Sequence, residues 1–463
     1  MVIDGLDYEF INNHIHEFSL FQSLLEAKRL NPLESVVPAD SIPSWITIYT
    51  GLNPAEHGII ESINYLNFKR QAEGDYSVIK GHSIWDFLSK SGQKVFVFNP
   101  FLAYPAWDVN GLMISGPVFE SGNTSTNRKD QVDLSALPPL GGLVDHPVKK
   151  KMDQFVDMNL ELTQKQFNAF HQYFGQDEYD FAFLGILTAD RIQHFLWRYA
   201  DDQTHHLPKK NSLAGAIIKT YHLIEKNIYE IMNQYGDQYN VMVISDHGHG
   251  PRCQKTFYIN QWLINEGFIH EINKKKRVVE YVKHTAFRAF EKMHCVAAGV
   301  KFFKKFEFAH KVKNADYIFS TKGQIYAPHF DGTNPYGGIQ VDRAFFPSDE
   351  AYEETRHHII TGLMKVHDAG KPIMLWAKRR EEIYSGQKTD QYPDIVYYMV
   401  PEYGVDRGLF GKRLFGSNSF RDIVSGGHRP RGVIMGNLDG TEGVGSVLNI
   451  YRFVLGLCGT RQG

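Results

Sequence analysis

Short apolar segments alternate with helical stretches along most of the 463-residue chain. This alternation predicts an α/β fold, in which a central, mostly parallel sheet carries helices on both faces. The segments are apolar throughout, which is typical of strands that are buried on both faces. The predicted strands are residues 1–3, 95–99, 112–115, 181–187, 241–245 and 395–400, and the predicted helices are residues 150–173, 191–199, 213–234 and 445–457.

Three of the predicted strands end in acidic or imidazole side chains. Asp4 follows the first strand, Asp190 and His194 follow the fourth, and Asp246 and His247 follow the fifth. In open α/β sheets, sites form where loops leave the carboxyl ends of the strands. Carboxylate and imidazole groups suit a divalent ion such as zinc or manganese, so these strand ends predict a metal site. Taken singly, each acidic residue is equally explained as a helix cap or a turn residue.

The segment 38–60 places a hydroxyl group at a predicted helix start. Ser41 stands just before a stretch that is led by Pro43. Amide groups at a helix N-terminus favour an anion, and a metal ion would make a serine alkoxide accessible near neutral pH. Ser41 is therefore a candidate nucleophile, and an ordinary N-cap role is the alternative.

Five motifs occur in a specific order along the chain. They are V-I-D-G, S-I-P-S-W followed by T-G-L-N-P-A-E-H-G-I, T-A-D-R-I-Q-H, V-I-S-D-H-G and S-G-G-H-R-P. In this order they resemble the alkaline phosphatase superfamily. Within it, the chain is similar to the type I phosphodiesterase/nucleotide pyrophosphatase branch and its predicted phosphohydrolase/phosphomutase relatives. The resemblance covers nearly the whole chain and implies an alkaline phosphatase-like α/β fold with an inserted cap region.

The resemblance also implies two divalent metal ions, zinc or manganese, and metal-dependent hydrolysis of a phosphate ester. Ser41 would attack phosphorus in line and form a phosphoseryl intermediate, which water then hydrolyses. His428 enters the ligand set through the resemblance alone. A phosphotransferase or mutase of the same superfamily and a non-catalytic binding member of the fold are the alternatives. One ion would be held by Asp4, Ser41, Asp246 and His247, and the other by Asp190, His194 and His428.

Polar residues near the proposed ligands are candidates for substrate contacts. Ser44 lies three residues after Ser41, while Arg191 and Arg429 each lie beside a proposed ligand and could bind phosphate bidentately. Surface salt bridges are the alternative explanation for such arginines. Further candidates for supporting or substrate-contacting roles are His57, His249, Lys322 and Arg431.

One region interrupts the alternating pattern. Residues 1–266 are predicted to form the catalytic core, residues 267–390 an inserted cap or substrate region, and residues 391–463 a return to the core. Within the insertion, residues 271–314 carry twelve Lys and Arg residues against four Glu residues, interleaved with phenylalanines. A helical excursion with a solvated lysine face is the simpler interpretation. Contact with an anionic lipid surface or with an amphiphilic substrate is the alternative.

Composition limits the possible partners. The formal net charge of −2 argues against nucleic-acid binding, so the expected partner is a small-molecule or amphiphilic phosphoester. No apolar run of membrane-spanning length occurs, and the first residues do not resemble a secretory signal. The three cysteines, Cys253, Cys295 and Cys458, are far apart and indicate a reducing compartment. A cytoplasmic location is therefore expected.

Overall fold

A computed structural model describes residues 1–59, 78–117, 123–141, 151–200, 212–269, 324–331, 334–408, 413–418 and 424–459. The chain divides into two compact units, the first comprising Met1–Pro251 with His428–Gly463 and the second comprising Arg252–Gly427. The described helices are α1 (Tyr8–Asn13), α2 (Ser19–Glu26), α3 (Ser41–Thr50), α4 (Pro54–His57), α5 (Ile84–Lys90), α6 (Met152–Phe174), α7 (Thr188–Ala200), α8 (Ala216–Tyr235), α9 (Ile259–Asn265), α10 (Asp349–Met364) and α11 (Ile450–Leu457). The described strands are β1 (Val2–Ile3), β2 (Leu30–Glu34), β3 (Val95–Phe98), β4 (Gly111–Ser115), β5 (Ser125–Thr126), β6 (Phe181–Ile186), β7 (Met242–Ile244), β8 (Gly248–Pro251), β9 (Lys255–Tyr258), β10 (Ile325–Tyr326), β11 (Tyr336–Val341), β12 (His367–Asp368), β13 (Lys371–Pro372), β14 (Met374–Arg379), β15 (Ile395–Met399), β16 (Tyr403–Asp406), β17 (Phe415–Ser417), β18 (Gly426–Arg429) and β19 (Arg431–Gly436).

The first unit is built around an eight-stranded sheet with the order β2-β19-β7-β1-β6-β3-β4-β5. The strands from β7 to β4 are parallel to one another. Antiparallel pairs occur at both sides, where β19 pairs with β7 and β2 and where β5 pairs with β4. The predicted α/β fold with a mostly parallel sheet is therefore confirmed.

Strand β3 shows why the strand segments are uniformly apolar. Val95 and Val97 belong to a buried cluster that contains Trp45 of α3 and residues of α5. The ring of Phe96 lies on the other side, 5.5 Å between centroids from Phe170 of α6. Alternate residues of one strand thus pack on helices at opposite faces, so every position must be apolar.

The second unit contains smaller sheets. Strands β10, β11, β15 and β14 form an antiparallel sheet, and β9 pairs with both β16 and β17. The predicted strand at 395–400 is therefore present as β15, but its expected place in a parallel sheet is wrong. It pairs antiparallel with β11 and β14 instead.

The limits of the second unit differ from the predicted limits of the insertion. Its first residue is Arg252, whereas the predicted insertion begins at 267 and ends at 390. The pairing of β9 with β16 and β17 accounts for the wider limits, because it joins segments on both sides of the predicted insertion. The basic aromatic segment 271–314 lies outside the described residues. Among the described helices, none combines the length and hydropathy that a membrane-spanning helix needs.

Candidate active site

The proposed ligands follow three neighbouring strands. Strands β7, β1 and β6 are adjacent and parallel, so their carboxyl ends meet at one edge of the sheet. Asp4 follows β1, the pair Asp246 and His247 follows β7, and Asp190 and His194 lie in α7 after β6. The predicted side chains therefore converge because their strands are neighbours, as the rule for open α/β sheets requires.

Ser41 and His428 reach the same edge through the antiparallel part of the sheet. Strand β19 runs antiparallel to β7, so its beginning, next to His428, lies beside the carboxyl end of β7. Strand β2 runs antiparallel to β19 and hence in the direction of β7. The chain that leaves the carboxyl end of β2 leads into α3, whose first residue is Ser41.

One group of contacts joins Ser41 to three of the proposed ligands. Ser41 Oγ lies 2.9 Å from His247 Nε2 and 3.4 Å from Asp4 Oδ1. His247 Nε2 in turn lies 3.5 Å from Asp4 Oδ1 and 3.3 Å from Asp246 Oδ2. The structure thus brings together the four side chains assigned to the first ion, and His247 Nε2 contacts the other three.

A second group of contacts surrounds Asp190. Its Oδ1 atom lies 3.2 Å from His194 Nε2, 3.4 Å from His428 Nε2 and 3.5 Å from His249 Nε2. The Nε2 atoms of His194 and His428 are 3.1 Å apart. The three residues assigned to the second ion are therefore also brought together, and His249 joins them.

Two of these histidines, His247 and His428, carry a proton on Nδ1, the ring nitrogen that points away from the site. His247 Nδ1 lies 2.9 Å from Gly248 O, and His428 Nδ1 lies 2.9 Å from Ala39 O. A carbonyl oxygen only accepts, so each Nδ1 atom carries the proton and donates it. In the neutral form of these rings, the Nε2 lone pairs of His247 and His428 therefore face the carboxylates, which is the orientation that a metal ligand needs.

The carboxylates of the site are buried close together, and this affects the pKa of each of them. Burial, together with repulsion from Asp246 and Asp190, raises the pKa of Asp4 well above its ordinary value. Burial also raises the pKa of Asp246, although His247 opposes this effect. For Asp190 burial alone would raise the pKa, but His194 and His428 outweigh it and hold the pKa well below its usual range. Three carboxylates crowded in this way call for positive charge.

The chemistry of the donor set fits divalent cations. Asp190 Oδ1 and Asp246 Oδ2 are buried oxygens without a hydrogen-bond donor among the described residues. Two sets of carboxylate and imidazole atoms lie within 4.8 Å of one another, namely Asp190, His194, His249 and His428, and Asp4, Asp190 and His247. Such oxygen and nitrogen donors suit zinc or manganese, and metal charge would offset the repulsion between the carboxylates.

The helix that carries Ser41 is capped by its neighbour. Asp40 Oδ1 accepts a hydrogen bond of 3.0 Å from Ile42 N and is the N-cap residue of α3. Ser41 is therefore not the N-cap, and its hydroxyl group faces Asp4 and His247. The position also lies in the first turn of a ten-residue helix, where the helix dipole favours an anion.

A buried network supports the loop after β1. Gln193 Nε2 donates to Gly5 O at 2.7 Å, and Tyr221 Oη donates to Gln193 Oε1 at 3.1 Å. Tyr221 Oη accepts in turn from Asp7 N at 3.0 Å. Gly5 N donates to Asp246 Oδ1 at 3.2 Å. The loop that follows Asp4 is thus tied both to α7, through Gln193, and to a ligand from β7.

The three residues predicted to contact substrate differ in their distance from the cluster and in their partners. Ser44 is fully buried, and its hydroxyl group pairs with Ser35 Oγ at 2.8 Å, so it does not reach the cluster. Arg191 is near enough to lower the pKa of Asp4, and its Nη2 atom donates to Gly141 O at 2.6 Å. Arg429 donates to the carbonyl groups of His428 and Pro251.

The further candidates from the sequence are not all near the ligands. His57 is buried and contacts Thr47 Oγ1 at 3.3 Å. Arg431 is exposed and pairs with Glu34 at 2.8 Å, which matches the surface alternative. Lys322 lies outside the described residues. His249, in contrast, lies inside the cluster.

Sequence reasoning gave His249 a supporting role at most and missed Trp197. The signal for His249 was its spacing, because residues two apart on an extended chain point to the same side, and His247 was already a candidate. The signal for Trp197 was its helical spacing of seven residues from Asp190, which places both on one face of α7. Both signals need the secondary structure to be known at residue level.

The fold and the site define a class of protein, a hydrolase with an α/β fold of the alkaline phosphatase type. Residues 1–403 match the profile of the family described as type I phosphodiesterase/nucleotide pyrophosphatase. The chain therefore belongs to this family, and it is a phosphoric ester hydrolase of the alkaline phosphatase superfamily. The resemblance seen in the motifs is confirmed. None of the curated protein sequences matches the chain.

Two solved structures of a phosphonoacetate hydrolase show the same fold at low sequence identity. Phosphonoacetate hydrolase from Sinorhizobium meliloti 1021, in complex with phosphonoformate, has a TM-score of 0.52 at 12% identity, over 99% of this chain and 94% of that chain. The same enzyme in complex with phosphonoacetate has a TM-score of 0.51 at 13% identity, over 99% and 94%. Murine ectonucleotide pyrophosphatase/phosphodiesterase 5 has a TM-score of 0.47 at 12% identity, over 99% and 94%.

Proposed function

We propose that the protein hydrolyses a phosphate ester with two divalent cations, zinc or manganese, through a phosphoseryl intermediate on Ser41. The observation that carries this proposal is the position of Ser41 Oγ, 2.9 Å from His247 Nε2 and 3.4 Å from Asp4 Oδ1. A serine hydroxyl group that lies at a helix N-terminus, among buried carboxylate and imidazole groups of the kind that bind metal ions, is suited to attack phosphorus.

Asp4, Asp246 and His247 would hold one cation beside Ser41, and Asp190, His194 and His428 would hold the other. Bound there, two cations supply charge that stabilises the attacking and leaving oxygens of an in-line displacement. The hydrogen bonds from His247 Nδ1 and His428 Nδ1 to carbonyl oxygens orient both rings.

The proposed reaction has two steps on Ser41. In the first, Ser41 Oγ loses its proton to water and forms a bond to phosphorus, while the bond from phosphorus to the leaving oxygen breaks. In the second, a water molecule attacks the phosphoseryl group and gives up a proton, the bond between phosphorus and Ser41 Oγ breaks, Ser41 Oγ takes up a proton, and the phosphate product leaves. The N-terminal amides of α3 favour the negative charge that Ser41 carries.

The test combines metal analysis with turnover of p-nitrophenyl phosphate and bis-p-nitrophenyl phosphate. Purified protein is expected to hold zinc or manganese and to hydrolyse at least one of the two esters. The Ser41→Ala variant should lose activity by at least about 10³-fold, since the covalent route is removed. Ser91→Ala, which changes an exposed serine at the end of α5, is the matched control.

Trapping separates hydrolysis from the alternatives. Acid quenching during turnover, followed by mass spectrometry, should find a phosphate adduct on Ser41 and none in Ser41→Ala. Phosphoryl transfer to an added alcohol in preference to water would favour the transferase alternative. A protein that binds neither metal, with Ser41→Ala equal to the parent in all assays, would be a binding member of the fold.

Two sequence predictions belong to this proposal and await their own measurements. The basic aromatic segment 271–314 favours an amphiphilic phosphoester, and flotation with anionic liposomes checks whether the protein contacts a membrane surface. A protein that stays with the soluble fraction would remove the membrane contact from the proposal. The cytoplasmic location likewise stays a prediction.

A further inference from the structure

His249 is buried within the cluster and is held by hydrogen bonds at its backbone N–H and at its Nδ1 atom. It lies on β8 and only 1% of its surface is exposed. Its backbone N–H donates to Asp7 Oδ2 at 3.0 Å. Its ring places Nδ1 2.8 Å from Trp197 Nε1 and Nε2 3.5 Å from Asp190 Oδ1. By distance alone, His249 could be a further ligand of the ion held by Asp190, His194 and His428.

The contact with Trp197 determines where the ring proton of His249 lies. An indole N–H is a donor and never an acceptor, so Nδ1 of His249 must accept with its lone pair. The planes of the two rings differ by 9° and their centroids are 6.3 Å apart, so the rings are nearly coplanar and too far apart to stack face to face. The indole N–H therefore points along the in-plane lone pair of Nδ1.

The neutral ring has one proton, and it must lie on Nε2. A ring whose Nδ1 atom accepts from the indole cannot be an imidazolium ion, which carries a proton on both nitrogens, so the ring is neutral. With Nδ1 occupied as an acceptor, the Nε2–H group faces Asp190 Oδ1. This is the opposite tautomer from His247 and His428, whose Nδ1 atoms donate to carbonyl oxygens and whose Nε2 lone pairs are free to bind an ion.

We propose that His249 is a positioning residue and not a metal ligand: its Nε2–H group faces the Asp190 carboxylate at 3.5 Å, a charge–dipole contact and not a formed hydrogen bond. This inference rests on the proposed function, because Asp190 is there assigned to the second ion. A metal bond at Nε2 would require that nitrogen to lose its proton while Nδ1 still accepts from Trp197, which a neutral imidazole cannot do.

Trp197 fixes the tautomer of His249 and so determines its role. Asp190, His194 and Trp197 are spaced by four and three residues on α7, so they lie on one face of the helix. The helix that supplies two proposed ligands thus also supplies the donor that keeps His249 from becoming a fourth ligand of the second ion. Partners of this kind fix the orientation of a ligand, and their loss typically weakens metal affinity by about 10- to 100-fold.

The direct test is the tautomer of His249, measured by ¹⁵N NMR on protein labelled at histidine, before and after addition of zinc. We expect a protonated Nε2 and a bare Nδ1 in both states for His249, while the Nε2 signals of His194, His247 and His428 shift on zinc binding. His171, whose Nδ1 lies 3.3 Å from Tyr235 Oη, is the unchanged control. Loss of the Nε2 proton on zinc binding, or a protonated Nδ1 in the metal-free protein, would overturn the proposal.

Variants add a second, independent measurement, which is zinc affinity by chelator competition. His249→Gln keeps a side-chain N–H donor and should stay within about threefold of the parent, whereas His249→Leu should bind zinc about 10- to 100-fold more weakly. Equal losses in both variants would instead indicate a ligand. Trp197→Phe removes the indole donor and should give a mixture of His249 tautomers; an unchanged tautomer there contradicts the selection by Trp197.

These outcomes are distinguishable from failure of the proposed function. If the parent protein binds no zinc or manganese, the two-ion proposal fails and the positioning role fails with it. If zinc binds and the His249 Nε2 proton is lost, only the positioning role fails. Thermal unfolding of His249→Leu beside the control His171→Gln shows whether the first variant is folded before its affinity is compared.

Discussion

A β-carbon added to Gly5 would lie 3.0 Å from both the Cα and the Cβ atoms of Asp190. Gly5 follows Asp4 directly, and Asp190 N donates to Asp4 O at 3.1 Å. The loop after β1 and the beginning of α7 are therefore packed backbone against backbone. Since each segment carries one proposed ligand, this close approach sets the separation between the two ions' ligands.

Gly5→Ala is expected to displace Asp190 and reduce turnover by about 100-fold, the effect of a misplacement near 1 Å. Gly5 also has φ of +75°, so alanine there costs roughly 1–2 kcal/mol of stability. Gly81→Ala is the matched control, because its φ is +87° and an added β-carbon meets nothing within 4 Å. Steady-state kinetics and urea unfolding on both variants separate the two effects. Equal activity in both would mean that the contact with Asp190 does not matter.

Asp190→Asn is expected to lower the metal content from two ions per chain to one. The carboxylate lies within 3.5 Å of three imidazole Nε2 atoms, so its charge is central to the second site. Asp130→Asn, at an exposed position, is the control. Inductively coupled plasma mass spectrometry after dialysis gives the metal-to-protein ratio. A ratio that stays at two in Asp190→Asn would contradict the division of ligands between two ions.

The convergence of these side chains could be predicted from the sequence because the strands that precede them are neighbours. Asp4, Asp190 and Asp246 follow β1, β6 and β7, and the rule about carboxyl ends of parallel strands reaches all three. Strand β1 has only two residues, but it lies inside the sheet and pairs in parallel with both β6 and β7.

The same rule could not reach His428, because this residue stands before an antiparallel strand. Neither β19 nor β2 was predicted. Strand β2 reads L-N-P-L-E, with polar positions and a proline, a composition tolerated at a sheet edge but not typical of a buried strand. The tautomer of His249 was equally beyond reach, since it depends on a ring-to-ring contact between β8 and α7.

Asp7 is expected to make the metal-free protein less stable as the pH rises from about 4 to about 7. Burial raises its pKa from 3.8 to about 7, so between these values the folded state keeps a proton that the unfolded state releases. The stabilisation is complete below pH 3.8 and is lost by about pH 7.

Urea unfolding of metal-free protein at several pH values measures this slope. Asp7→Asn cannot titrate and should flatten it, although it is less stable throughout because Asp7 accepts from both Phe10 N and His249 N. Asp130→Asn should keep the parent's slope. An identical slope in Asp7→Asn would assign the pH dependence to other groups.

Gln193→Leu is expected to destabilise the fold by about 1–3 kcal/mol for each buried group left without a partner. Gln193 is fully buried and satisfies both Gly5 O and Tyr221 Oη. Gln22→Leu, which breaks an exposed hydrogen bond to Glu26 on α2, should change stability little. Urea unfolding compares the two variants. A small effect of Gln193→Leu would show that water replaces the lost amide.

The antiparallel strand β19 has a consequence for biosynthesis. It lies between β2 and β7 but follows both of them in the sequence, so a growing polypeptide has those two strands without this partner until residue 436 is added. His428 also emerges only then. A ribosome-bound chain can therefore assemble the middle of the sheet early, but it cannot complete the proposed ligand set before His428 has been added.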